Sequence, residues 1–148
     1  MRRMLIGSLA VLLCGCAASL ADIRKTTPTQ SGTFPAPPAT LAACVQQNVE
    51  RVLSPYQINQ VASPDQKEYY ITATRHADGV AKEPLIAFDL FLVAFDNGSL
   101  VELREGASDG HSLTRRVWPI VESCAQKTSG ANSPSPSASP ATPAPLTP

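Results

Sequence analysis

Leu85-Ile86-Ala87-Phe88-Asp89-Leu90-Phe91-Leu92-Val93-Ala94-Phe95 runs through Asp96-Asn97-Gly98 into Ser99-Leu100-Val101-Glu102-Leu103-Arg104-Glu105, and this stretch decides the fold. Two apolar runs flank an Asn-Gly pair, the strongest short-range hairpin signal, because a type I′ turn needs φ > 0 at both central residues. A two-residue Asn97-Gly98 loop sets Phe95 opposite Leu100, Ala94 opposite Val101, Val93 opposite Glu102, Leu92 opposite Leu103 and Phe91 opposite Arg104. Paired residues share a face. One face then carries Leu90, Leu92, Ala94, Val101 and Leu103, which is apolar throughout and belongs under other elements. The other carries Asp89, Phe91, Val93, Phe95 and Leu100, with Glu102 and Arg104 among them.

Outward from the hairpin, Glu68 to His76 is rich in aromatic and β-branched residues and reads as a strand. Ser63-Pro64-Asp65 is turn chemistry, and Tyr56 to Ala62 before it is a weaker strand. Ala77 to Pro84 reads as a polar loop. Leu41, Val45, Val49 and Val52/Leu53 recur at helical spacing, with Thr40 as N-cap and Pro55 ending the run. Leu113, Val117, Ile120, Val121 and Cys124 repeat that spacing, and Pro119 within them either kinks a helix or starts one. The expected class is α+β: a small antiparallel sheet of about four strands, with N- and C-terminal helices on one face.

The chain starts differently. Arg2 and Arg3 precede the apolar stretch Met4 to Leu13, which is far too short to span a bilayer. Leu13-Cys14-Gly15-Cys16 closes it, with a small residue directly before a cysteine. This order resembles the lipobox of bacterial lipoprotein precursors, and the resemblance covers the first sixteen residues only. It implies that 1–15 is a signal peptide and that Cys16 becomes an acylated N-terminus anchored in a membrane through its acyl chains. Ala17, rather than Asp, after that cysteine implies sorting to the outer membrane, facing the periplasm. A second cleavage pattern is also present: Ser19-Leu20-Ala21 is a small-x-small site, and a cut before Asp22 would release a soluble periplasmic or secreted protein.

Both routes lead out of the cytoplasm, where thiols oxidise. Of four cysteines, Cys14 leaves with the leader and Cys16 carries lipid, so Cys44 and Cys124 remain to form one disulfide between the two helices. No metal is expected, since neither histidine lies near a cysteine and zinc wants four ligands at short spacings. Net charge is zero and no basic stripe is present, which removes the electrostatic footprint of nucleic-acid binding.

Composition divides the mature chain. Residues 16–39 contain Pro28, Pro35, Pro37 and Pro38 among Ser, Thr and Gly, and read as a lipidated N-terminus followed by an extended tether. Residues 40–127 form one compact domain, and 128–148 is a Pro/Ser/Ala-rich disordered tail.

Function is legible only in outline. A one-layer sheet with helices on one side should show water a mostly polar second face. Here Phe91, Val93, Phe95 and Leu100 stand on that face, edged by charge, as a docking site for a partner protein or a second copy would. No catalytic residue is assigned. His76 with Asp78, and Asp109 with His111, lie in polar loops without a nucleophile setting, and Asp89 and Glu102 are not cross-strand neighbours. The expected protein is a non-enzymatic accessory or scaffolding lipoprotein that docks another envelope protein. The alternatives are a secreted binding or inhibitor module and a cell-wall-acting protein. No cofactor is expected.

Overall fold

A computed structural model describes residues 19–76, 84–106 and 112–130. Cys16, residues 77–83 and 107–111 and residues 131–148 lie outside the described residues, while 128–130, expected to open the tail, complete the C-terminal helix, where the Thr128 and Ser129 hydroxyls donate to the Ala125 carbonyl. The elements run α1 (Leu20–Lys25), β1 (Gln30–Phe34), α2 (Pro38–Val52), β2 (Gln57–Ala62), β3 (Glu68–Arg75), β4 (Leu85–Phe95), β5 (Gly98–Glu105) and α3 (Ser112–Gly130). The class is α+β, with the five strands in one antiparallel sheet of order β1-β5-β4-β3-β2.

The α2 and α3 stripes meet the sheet face that the hairpin pattern had marked as apolar. Leu41, Val45 and Val49 from α2, and Leu113, Val117 and Val121 from α3, are buried with Ile71, Leu90, Leu92, Val101 and Leu103. Phe88 is the largest side chain fully enclosed there. Cys44 and Cys124 are joined, with Cα atoms 5.8 Å apart, so the bridge staples α2 to α3 on the outer layer. The N-cap of helix α2 is Pro37 and not Thr40, so the helix starts three residues earlier than expected, because Pro38 fits the first turn: its missing N–H is one the helix leaves unbonded anyway. Helix α3 runs through Pro119 instead of starting there.

The expected α+β class holds, and three details are refined. First, among the described residues the sheet has five strands where about four were expected. Second, the fifth comes from the stretch expected to be a tether: within 16–39, residues 20–25 form α1 and residues 30–34 form β1. A compositional estimate counts only local apolar content, whereas β1 is ordered by the free edge of β5, which would otherwise expose a row of unpaired N–H and C=O groups. Trp118 of α3 seals it. A Cβ at Gly32 would come within 3.1 Å of the indole, and the Phe34 and Trp118 rings sit 5.8 Å apart. The buried Ser99 hydroxyl then donates to the Ala36 carbonyl, fixing the chain as it leaves β1.

Third, the β4–β5 register is displaced by two residues. Phe95 pairs with Gly98, Ala94 with Ser99, Val93 with Leu100, Leu92 with Val101 and Phe91 with Glu102. The two turn residues are Asp96 and Asn97, and Asp96 takes the left-handed conformation at φ 50°. Gly98 is already in the strand, where a Cβ would overlap the Phe34 carbonyl oxygen. A shift of two preserves the alternation of side chains, so every residue stays on its expected face.

Candidate functional site

The second face of the sheet, away from α2 and α3, is built in rows. Across the middle run Asn59, Thr72, Asp89 and Arg104. The next row is Val61, Tyr70, Phe91, Glu102 and Ser31, and beyond it, toward the β4–β5 turn, stand Glu68, Val93, Leu100 and Thr33.

Helix α1 crosses this face. It is a six-residue helix, too short to persist alone, and its N-terminus is fixed by a capping box in which the Ser19 hydroxyl accepts from the Asp22 amide while the Asp22 carboxylate accepts from Ser19. Ile23 is buried beneath it. Arg24 reaches Asp89 with two hydrogen bonds, Nε to Oδ2 at 2.9 Å and Nη2 to Oδ1 at 3.2 Å. Asp89 is fully buried and also accepts from the Thr72 hydroxyl at 2.7 Å, so the charge that β4 takes out of water is both paired and hydrogen-bonded. The guanidinium lies 4.0 Å above the Tyr70 ring, which stacks on Phe91 at 5.0 Å. At the far end of α1 the Thr26 carbonyl accepts from Arg104, whose other arm holds Glu102 at 2.7 Å.

The electrostatics follow from these contacts. The hydrogen bond to Asp89 holds the Arg24 pKa above its usual range. Burial, followed by the hydrogen bond donated to Glu68, pushes the Tyr70 phenol up. Asp89 and Glu102 each have their own arginine, so they form structural ion pairs and not a free carboxylate couple facing a cleft. His76 is exposed at the end of β3, while Asp78, Asp109 and His111 lie outside the described residues. Among the described residues no three metal-ligating side chains converge, and no helix is long and apolar enough to cross a membrane.

The four residues expected to form a docking face do share one face, but α1 divides their roles. Phe91 is taken up by Tyr70 and lines a small cavity of about 170 Å³ with Arg24 and Asp89. Val93 and Leu100 are directly paired and half-buried, and Phe95 at the turn is 51% exposed. Sequence reasoning missed Val61, 54% exposed on edge strand β2, and missed Arg24 altogether. The one local clue to α1 was Ser19-x-x-Asp22, which is a capping-box spacing as well as part of a cleavage pattern. Between α1 and β2 a groove of about 950 Å³ runs along the sheet, with Ser19 and Leu20 on one wall and Val61, Ala62 and Pro64 on the other.

No protein-family model matches the chain, and no curated protein matches it either.

Proposed function

We propose that the protein is an outer-membrane lipoprotein, acylated at Cys16, whose domain is a non-enzymatic accessory or scaffolding subunit docking another envelope protein. The observation that carries the docking half is the strip Val93, Leu100 and Phe95, which α1 does not cover and of which Phe95 is half exposed. Full burial of an exposed side chain of this kind is worth roughly 1.5–3 kcal/mol, less for the half-buried Val93 and Leu100, so the strip contributes to an interface without supplying all of it. Support for a mature N-terminus at Cys16 comes from Ser19. A cut before Asp22 would remove the residue that caps α1 and leave Arg24 near a frayed end, whereas a cut before Cys16 keeps the whole helix.

The test is recovery of partners from detergent-solubilised membranes with the natural protein and with a Val93→Lys, Phe95→Asp variant. Both forms should unfold at nearly the same temperature, and the variant should lose its partner or its self-association. Unfolding of the variant would assign the strip to the protein's own core. Unchanged recovery would make it idle surface.

A further inference from the structure

Cys16 precedes Ser19 by three positions, and Ser19 is already fixed to the domain. Three trans peptide links span at most roughly 11 Å. The long tether expected from composition is therefore absent on the side that matters: α1 is held by Ile23, by the Arg24–Asp89 pair and by the Arg104–Thr26 contact. We infer that the rim of the groove around Ser19 lies directly on the lipid bilayer that receives the acyl chains of Cys16, so that the domain is held in one orientation, helices α2 and α3 outward. This rests on the lipoprotein reading above.

The rim has the composition for that contact. Leu20 flanks the anchor, and Val61, Ala62 and Pro64 stand across the groove, with Val61 more than half exposed. The groove also carries polar groups, exposed Gln57 and Asn59 on the same edge strand and half-buried Thr72 beside them, which suit the headgroup level. Apolar side chains at the level of lipid headgroups gain from leaving water, and a surface tied within three residues of an anchor meets the membrane at a very high effective concentration. Val93, Leu100 and Phe95 stand toward the β4–β5 turn, on strands β4 and β5 and not on the β2 wall of the groove.

Trp118, the chain's single tryptophan, is a built-in contrast, because α3 carries it on the opposite side of the sheet. The experiment uses the acylated chain purified from bacterial membranes and reconstituted in phosphatidylethanolamine/phosphatidylglycerol vesicles that contain nitroxide-headgroup lipid. Quenching of Trp118 in the natural protein is compared with that of the tryptophan in a Val61→Trp, Trp118→Phe variant. Position 61 should be quenched roughly twofold more strongly or better, and a spacer of about ten Gly and Ser residues between Ala18 and Ser19, adding on the order of 30 Å of reach, should abolish the difference. Circular dichroism and thermal unfolding check that the variants keep their fold, and Leu20→Trp in the same background serves if position 61 does not tolerate tryptophan.

Equal quenching at both positions in a protein whose intact mass includes the acyl group would overturn the orientation while leaving the lipoprotein reading in place. A position 61 tryptophan shielded from both nitroxide lipid and aqueous iodide would mark a protein or a second copy on the rim and overturn the lipid assignment. An intact mass without lipid would remove the anchor, and both readings would fall together.

Discussion

Arg24 and Asp89, 65 positions apart, close the second face of the sheet with an Nε–Oδ2 contact of 2.9 Å in which the carboxylate is fully buried and the guanidinium side chain is 36% exposed. Removing one partner of a fully enclosed pair costs about 3–5 kcal/mol because the other charge is stranded. Solvent at Arg24 screens part of that, and Thr72 still serves Asp89, so Arg24→Ala should cost about 1–3 kcal/mol. Asp89→Asn should cost less than Asp89→Ala, since an amide still accepts from Thr72. The Arg24→Ala, Asp89→Ala double variant should lose clearly less than the sum of the two single losses in urea unfolding. Strict additivity would mean that the two side chains act independently.

The α1 cap gives a pH dependence of definite sign. Side-chain and then backbone hydrogen bonds from Ser19 hold the Asp22 carboxyl below its ordinary pKa. As pH falls, the unfolded chain takes up the Asp22 proton first. The contribution of the cap is thus complete above the unfolded-state carboxylate pKa and is lost as pH falls through the lower folded value. Ser19→Ala should raise the Asp22 pKa toward the ordinary range in a carbon-detected NMR titration. An unmoved Asp22 titration in that variant would dissociate Ser19 from the helix cap.

Much of this architecture can be read from local pattern. The helical spacing of Leu41, Val45 and Val49, the alternation in 98–105 and the apolar run 85–95 place α2, β5 and β4, and Cys44 and Cys124, the two cysteines outside the lipobox-like stretch, are the pair that is bridged. The faces of the hairpin were legible although its register was not, because moving the turn from Asn97-Gly98 to Asp96-Asn97 changes partners by two and leaves side-chain alternation intact. What stayed hidden is long-range. Gln30-Ser31-Gly32-Thr33-Phe34 has a single large apolar side chain, and its order comes from the β5 edge and from Trp118, both far along the chain. Asp89 looked like part of a charged rim because nothing near it in sequence announces Arg24. The candidate docking strip is half legible: its four residues share a face, but the helix that removes Phe91 from it lies in a stretch whose composition reads as tether.

Gly98 tests the β1 edge. Its missing Cβ leaves room for the Phe34 carbonyl oxygen and for Pro35, whose Cα would lie 3.1 Å from it. Gly98→Ala should displace the end of β1, with a loss of about 1–3 kcal/mol, typical of a backbone clash. Hydrogen exchange should show lost protection in residues 30–34, while β3 and β4 keep theirs. Uniform protection in the variant would mean that β1 is not packed against the turn.

The Cys44–Cys124 bridge closes a separation of 80 residues. In the chain-entropy picture such a loop is worth about 4–5 kcal/mol at its upper end, a large share of the stability of a domain this small. Reduction, or a Cys44→Ala, Cys124→Ala variant, should lower the urea midpoint strongly. Peptide mapping without reductant should recover the α2 and α3 cysteines joined. A midpoint indifferent to reductant would mean that α2 and α3 hold together by packing alone.

The N-terminus of the mature protein, taken from native membranes and measured by intact mass and fragment sequencing, tests the anchored reading most directly. The expected result is a chain beginning at Cys16 and carrying acyl mass, soluble only after Cys16→Ser. A chain beginning at Asp22 without lipid would contradict it: it would have lost the Ser19 cap of α1 and every means of holding the sheet face at a bilayer.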